Sequence, residues 1–437
     1  MARKVCMFVY NNLLHDTRVL KEARTLITSG YDVTIVAVLD DKSKPFEEQD
    51  GIKVIRVVKN PIRHYIVHLM IGCVRYIKKG IVPFPGKNTR TSEHRGKVQG
   101  TMICWERMIR RMRGYGLLFN RPLCFIDYYM RSYKIAMGKP YDIYHANDLN
   151  TLPVAWWAAR RSGARLVYDS HELYVERNRK KTASRVGKFL LSQLESFLIR
   201  RTDAVITVNE SIADELSKRY RIRTPTVVMN TPSRTFHPVN RNVTSLRELL
   251  HIKSGYRLLL YAGLITFNRG LENLIQSLVY LPDCHLVFMG YGNDKYKKHL
   301  LELTRRIGME SRVSFFGPVP SDEVTIYAAS ADLGVAPIEN ACLSYYYCSP
   351  NKVFEYIQAG LAVVASDFPE LRRVIHQHDI GCTFNPDDPR DISRAVNYIF
   401  ENPEHWQRMK QNTLTASQYY NWENESKKLL NLYGTLN

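Results

Sequence analysis

What this 437-residue chain lacks narrows its class before any motif is weighed. Its eight cysteines (Cys6, Cys73, Cys104, Cys124, Cys284, Cys342, Cys348 and Cys382) are scattered, with no Cys-x-x-Cys pair. That spacing offers neither a zinc cage nor a small disulfide scaffold and fits a reducing cytosol. Long apolar runs are missing too. The longest, Tyr65–Val82, contains His68, Arg75, Lys78 and Lys79, whereas a membrane span needs about 20 mostly apolar residues. The stretch Val5–Tyr10 reads as a first strand, being too short for a secretory signal. It is followed by Asn11-Asn12 in place of Gly-x-Gly-x-x-Gly, which argues against a dinucleotide oxidoreductase. Pro85-Gly-Lys87 has neither the upstream glycine nor the following Ser/Thr of a P-loop. No Asp-x-Asp suited to a metal is present, so neither metal nor other cofactor is expected.

Acidic residues are in deficit: 42 against 62 Lys and Arg, a net charge of +20. The excess is concentrated between Asn60 and Pro140, where sixteen basic residues meet only Glu93, Glu106 and Asp127. The apolar run Tyr65–Val74 and the aromatic region Tyr115–Tyr133 lie within that stretch. Basic residues interleaved with apolar ones point to an anionic membrane surface; a solvated basic face beside an anionic substrate would look the same. No recognised nucleic-acid module appears, so nucleic acid is not an expected partner.

With 45% hydrophobic and 24% charged residues the chain reads as globular, and its length implies two domains. The first half alternates strand candidates Val5–Tyr10, Val33–Val38, Val54–Val58, Ile143–His145, Leu166–Tyr168 and Ala204–Val208 with helical stretches. The earliest helix is capped by Asp16, carries Val19, Leu20, Ala23, Leu26 and Ile27 at helical spacing, and ends at Gly30. The pattern restarts in the second half at Leu258–Ala262, then Leu271–Leu281 as helix, then strands His285–Met289, Val313–Phe316, Leu333–Ala336 and Ala362–Ala365. Such alternation predicts an α/β protein of two doubly wound, Rossmann-like parallel sheets. Prolines and small polar residues at Asn230–Pro238 mark the boundary, giving domains 1–232 and 233–405. The helical segment 406–437 is long enough to pack back on the first domain. The cleft between the domains, beyond the carboxyl ends of the strands, is the default site.

One segment carries the chemistry. In Ser349–Gly360, Ser349 reads as N-cap, Pro350 as first helical residue and Gly360 as the stop. At about 100° per residue Val353, Phe354 and Ile357 share one face, and Lys352, Glu355 and Ala359 the other. The helix N-terminus and Lys352 suit a phosphate, and Glu355 can accept hydrogen bonds from the two vicinal hydroxyls of a ribose. An ordinary amphipathic helix with an exposed Lys–Glu pair would show the same pattern.

The run Ser349-Pro-Asn-Lys-x-Phe-Glu-Tyr-x-x-Ala-Gly-x-x-Val-Val-Ala-Ser-Asp367 resembles the donor-binding signature of the family 4 glycosyltransferases, retaining enzymes of the GT-B fold. The resemblance continues in Tyr261–Gly270, Phe315–Val319, Arg201–Val208 and Trp422–Tyr433, and in Asp16–Arg18, His145–Asp148 and Asp169–Glu172. It implies a GT-B enzyme whose two domains face a central cleft and whose C-terminal helix crosses back. By this likeness Gly263, Arg269, Gly317, Val319, Ser349, Pro350, Asn351, Lys352 and Glu355 bind a nucleotide-sugar donor. Arg269 and Lys352 neutralise the leaving diphosphate, and His145 orients the donor sugar. Asp16, Arg18, Asp148, His171 and Glu172 lie on the acceptor side, although Arg18–Glu22 also reads as an i,i+4 surface pair.

Two positions depart from the family pattern. Tyr347 stands where the first acid of Glu-x7-Glu is usual, and Leu264 replaces a loop cation. The expected activity is retaining, metal-independent transfer to a glycan or lipid-linked acceptor in polysaccharide biosynthesis, on the cytoplasmic face of the membrane. A nucleotide-sugar epimerase of the same fold and a non-catalytic partner subunit are the rival expectations.

Overall fold

A computed structural model describes residues 2–58, 124–178, 184–234 and 244–436. Tyr65–Val82, most of the basic stretch 60–140 and the end of the segment Asn230–Pro238 lie outside the described residues. The chain forms two compact units, one of residues 1–16 with 30–166, the other of 17–29 with 167–437.

In the first unit, β1 (Lys4–Phe8), β2 (Asp32–Leu39), β3 (Phe46–Gln49), β4 (Ile52–Val58) and β5 (Ile143–Asn147) lie in the order β3-β4-β2-β1-β5. All pairs are parallel except β3 with β4. β1 is central and covered on both faces, which is why Val5-Cys-Met-Phe8 is continuously apolar rather than alternating. Succession reverses at β1, since β2 lies on one side and β5 on the other. The loops that diverge there hold Asp16 and Asp148.

The second unit begins with the helix Thr17–Thr28 and resumes within β6 (Arg165–Ser170), which pairs in parallel with β7 (Ala204–Thr207). β7 pairs in turn with β8 (Thr226–Val227). A second parallel sheet follows, made of β9 (Arg257–Ala262), β10 (Cys284–Met289), β11 (Val313–Phe316), β12 (Leu333–Ala336), β13 (Val363–Ser366) and β14 (Gly381–Phe384). Its order is β11-β10-β9-β12-β13-β14. The reversal between β9 and β12 opens a crevice at their carboxyl ends, the place where open α/β sheets bind ligands. Both sheets are therefore Rossmann-like, as the alternation predicts.

The C-terminal segment is two helices, Pro403–Tyr419 and Trp422–Gly434. The second docks on the helix Thr17–Thr28. Trp422 Nε1 donates to Thr25 Oγ1 at 3.0 Å, and the buried Glu425 accepts from the Met229 amide at 2.9 Å.

Candidate active site

The site is assembled at the carboxyl end of β9. β9 stops at Ala262, and Gly263 follows at φ 135°, a conformation that favours glycine. A Cβ there would meet Lys352 Cε at 3.3 Å and Nζ at 3.4 Å. Gly290, at the end of β10, packs so closely that a Cβ would lie 2.1 Å from the Gly263 carbonyl oxygen. Gly290-Tyr-Gly292, which reads in sequence as a common turn, thus forms a floor that only a bare backbone can make.

Facing this floor is the helix Asn351–Gln358. Its start corrects the sequence expectation: Pro350, not Ser349, is the cap residue (φ −71°, ψ 136°), and no side chain caps this end. The reason is a competing partner. Ser349 Oγ accepts from Asn209 Nδ2 at 3.0 Å, and the same amide donates to the Tyr347 carbonyl at 2.7 Å. The first-turn N–H groups are consequently the donors this helix end offers to an anion. The stop before Gly360 is where the sequence places it. Val353, Phe354 and Ile357 enter the core of the second sheet. Tyr356 pins the helix to the sheet, accepting from the Ala262 amide at 2.8 Å and lying 3.0 Å from the Leu260 carbonyl.

Lys352 is buried, so the polar face does not simply look into solvent. Its Nζ sits 3.6 Å from the centroid of the Tyr261 ring, a cation–π contact, beside Gly263. Burial first, and then Arg269, hold its ammonium pKa well below the usual lysine value. Arg269 lies over the Tyr345 ring at 4.6 Å. Among the described residues neither cation has an ion-pair partner closer than 4.0 Å. Glu355 is half-buried; burial pushes its carboxyl up to about 7, against the pull of Lys352 and Lys21. Lys21, hydrogen-bonded to Asn230 Oδ1 and the Thr231 carbonyl, is itself lowered to about 8, mainly by burial. Gly317 is exposed just past β11, and Val319 packs on the core that holds the helix Asn351–Gln358. Tyr347, at the departure from the family pattern, presents its backbone to Asn209 and its ring to Tyr346 at 5.3 Å.

The acceptor-side candidates divide. Arg18 is not a surface residue: its guanidinium forks onto Asp169 at 2.8 and 2.9 Å, and reaches Val228 O at 2.7 Å and Glu22 at 3.1 Å. Arg18, Glu22 and Asp169 are all buried, which corrects the expected surface pair. The identical i,i+4 spacing arises on either face of a helix, and the tertiary partner on β6 chose the inner one. Burial and the neighbouring Asp169 raise the Glu22 carboxyl to about 8, while Arg18 and His171 hold Asp169 well below the usual range. His171 Nε2 is 3.0 Å from Asp169. Glu172 accepts from Ser344 Oγ at 3.3 Å, next to the short helix Leu343–Tyr346 that leads into Ser349. In the first unit, His145 is buried in the middle of β5 opposite Met7, two residues before the strand end rather than at it. Asp148 adopts φ 63°, and Asp16 accepts from Asn11 Nδ2 at 2.8 Å.

Asn209, Tyr261, Tyr345 and Gly290 were not among the site residues expected from the sequence, although Tyr261 opens the run Tyr261–Gly270 and Gly290 reads as a turn. Asn209 carried a visible signal only as cap of the helix Glu210–Tyr220, a role it also fills by accepting from the Ile212 amide at 2.9 Å.

Comparison with known proteins bears on the family and the fold. Residues 243–415 match the family described as glycosyl transferases group 1, and residues 81–232 match glycosyltransferase family 4. An uncharacterized glycosyltransferase of Methanocaldococcus jannaschii is 23% identical over 310 residues, 67% of this chain and 75% of that protein. D-inositol 3-phosphate glycosyltransferase of Corynebacterium diphtheriae is 21% identical over 307 residues, 67% of this chain and 70% of the relative. Among solved structures, sucrose-phosphate synthase from Thermosynechococcus elongatus superposes with a TM-score of 0.72 at 16% identity, covering 99% of both chains. HepE of Anabaena in complex with UDP-glucose gives 0.67 at 15% identity, again over 99% of both chains. Two Rossmann-like sheets, the helix Asn351–Gln358 at the β9 crevice and these matches together place the chain in the family 4 glycosyltransferases of the GT-B fold.

Proposed function

We propose that the chain transfers a sugar from a nucleotide diphosphate sugar to a hydroxyl acceptor with retention of configuration and without a metal. The observation that carries this reading is the pair Lys352 and Arg269: two cations at an uncapped helix N-terminus with no acid partner among the described residues. A diphosphate supplies the missing negative charge. HepE, a neighbour in fold, is solved with UDP and with UDP-glucose, which supports a nucleotide-sugar donor here. Glu355, one turn along the helix, receives the ribose hydroxyls in this reading. His145, in β5, orients the donor sugar, and Asp16, Arg18, Asp148, His171 and Glu172 belong to the acceptor side, Arg18 acting through Asp169.

In the transfer, the bond from the anomeric carbon to the phosphate oxygen breaks as negative charge grows on the nucleoside diphosphate. Arg269, Lys352 and the amides of Asn351 and Lys352 stabilise that charge where it develops. The acceptor oxygen bonds the anomeric carbon on the face the phosphate leaves, and its proton passes to the departing phosphate oxygen. No protein base is needed, and two fixed cations take the place of a metal. The acceptor we infer is a lipid-linked or cell-surface glycan precursor at the cytoplasmic face of the membrane. No described helix is long and apolar enough to cross a membrane, so attachment in this reading is peripheral.

A panel of UDP-, GDP-, TDP- and ADP-sugars, tested by calorimetry and turnover in the presence of a chelator, decides the matter. One donor is expected to bind and turn over, and Lys352→Ala to lower turnover at least about tenfold. If none binds, the donor reading falls; if the chelator abolishes turnover, metal independence falls; an inverted anomeric product removes retention.

A further inference from the structure

Among the described residues the helix Arg185–Ile199 is held on one side. Its inner face contains Glu195, Leu198 and Ile199, all buried, and the Glu195 carboxylate accepts hydrogen bonds from Tyr168 and Tyr220, both at 2.7 Å. The outer face is apolar and open. Val186 is 68% exposed, Phe189 61%, Leu190 60%, Phe197 45% and Leu194 38%. At about 100° per residue these five side chains fall within a sector of roughly 140°, opposite Glu195. A contiguous exposed apolar stripe of this size marks an interaction surface.

Charge identifies what the stripe meets. Arg177, Arg179, Lys180, Lys181, Arg185, Lys188, Arg200 and Arg201 cluster on and beside this helix in sequence, and the one acid between Arg177 and Arg201 is Glu195, which faces inward. Arg201 lies over the Phe197 ring at 3.6 Å, so one base sits directly at the stripe's edge. Lys188 pairs with Glu176, Arg177 with Glu172, and Arg200 donates to the Tyr220 carbonyl. Large apolar side chains beside a net excess of bases, on a helix fastened from behind, are the arrangement of an interfacial amphipathic helix. Such a helix sinks its apolar face into the acyl boundary while its bases meet anionic headgroups.

We propose that the helix Arg185–Ile199 is a docking surface for an anionic lipid bilayer. This rests on the peripheral-membrane part of the function proposed above and assigns it to a described element outside the basic stretch 60–140. β6, which carries Asp169 in the strand and leads to His171 and Glu172, packs on this helix through the Tyr168–Glu195 hydrogen bond. Docking by this face therefore ties β6 and the loop that follows it, through the inner side of the helix, to the docked element.

The test is flotation of the full chain with phosphatidylcholine vesicles, with and without phosphatidylglycerol, at low and high salt. Wild type is expected to float with the phosphatidylglycerol vesicles and to be released by salt. The double variant Phe189→Glu/Leu190→Glu is expected to bind at least about tenfold more weakly, with unchanged thermal midpoint and nucleotide-sugar affinity, since both side chains point outward. Failure of wild type to float overturns the membrane reading as a whole. Flotation of the double variant equal to wild type overturns this helix as the surface and leaves the wider reading standing. A wild-type dimer in sedimentation that the double variant converts to monomer makes the stripe a contact between copies, which also overturns the proposal.

Discussion

Two buried cations in the second unit make opposite use of burial. Arg18 is 3% exposed and Lys352 is 8% exposed. Arg18 spends its fork on Asp169, with further bonds to Val228 O and Glu22. Lys352 has no ion pair within 4.0 Å among the described residues: it lies on the face of Tyr261, with a second cation, Arg269, as neighbour and Glu355 acting only from farther off. A buried charge without a counter-charge is costly. The fold satisfies Arg18 from within and leaves Lys352 without an ion pair among the described residues. A completed ion pair is architecture, whereas an incomplete one in a crevice at a topological switch is the basis on which we propose a binding site.

The largest effect expected from breaking this contrast concerns stability. Arg18→Met leaves the buried Asp169 without its guanidinium fork, with His171 as the remaining partner, and should cost about 3 kcal/mol in chemical denaturation. Lys352→Met removes an unpaired charge of similar volume and should leave stability unchanged or higher while turnover falls. Equal destabilisation by both variants would mean that Lys352 has an internal partner, and the contrast would collapse.

A smaller effect is expected at Asn209, which ties the paired and unpaired regions together. Asn209→Asp can still accept from the Ile212 amide as a helix cap but cannot donate to Tyr347 O and Ser349 Oγ. Donor KM should rise up to about tenfold, a loss of roughly 1 kcal/mol, with little change in the thermal midpoint. A lowered midpoint with unaltered KM would reduce Asn209 to a helix cap.

The smallest effect is a pH dependence. Glu22 has a folded-state pKa of about 8 against an ordinary value of 4.5. Between those values the unfolded state has released this proton and the folded state has kept it, so stability falls as pH rises from 4.5 to 8 and levels off above. The loss should be on the order of 1 kcal/mol, because Glu22 shares its titration with the adjoining Asp169 and Arg18 and only part of the shift is its own. Glu22→Gln mimics the protonated form and should flatten this part of the profile. A slope unchanged in the variant would assign the titration to another group.

Much of this was readable before the fold was known. All eleven strand candidates overlap the strands by most of their length, because a buried parallel strand is a short continuous apolar run. Val5–Tyr10 does so although its last two residues lie past β1. β3, with the sequence Phe-Glu-Glu-Gln, was missed because its pairing with β4 shows no apolar alternation. β8 has only two residues, and β14 begins with Gly381 and Cys382, so neither gives a strand pattern. The helix Asn351–Gln358 was legible to within one residue. Its cap was not, since the Ser349 hydroxyl is taken by a residue 140 positions away in sequence.

The sequence by itself determined the α/β class, the two repeats of strand and helix, the helix Asn351–Gln358 and the family. These depend on periodicity, stop residues and local composition, which act over a few residues. Only the tertiary structure decided which charges are paired. Arg18 meets Asp169 across 151 residues, while Lys352 meets an aromatic ring and a glycine. Local spacing cannot distinguish those outcomes, because whether a charge is compensated depends on what the rest of the chain brings within a few ångströms of it.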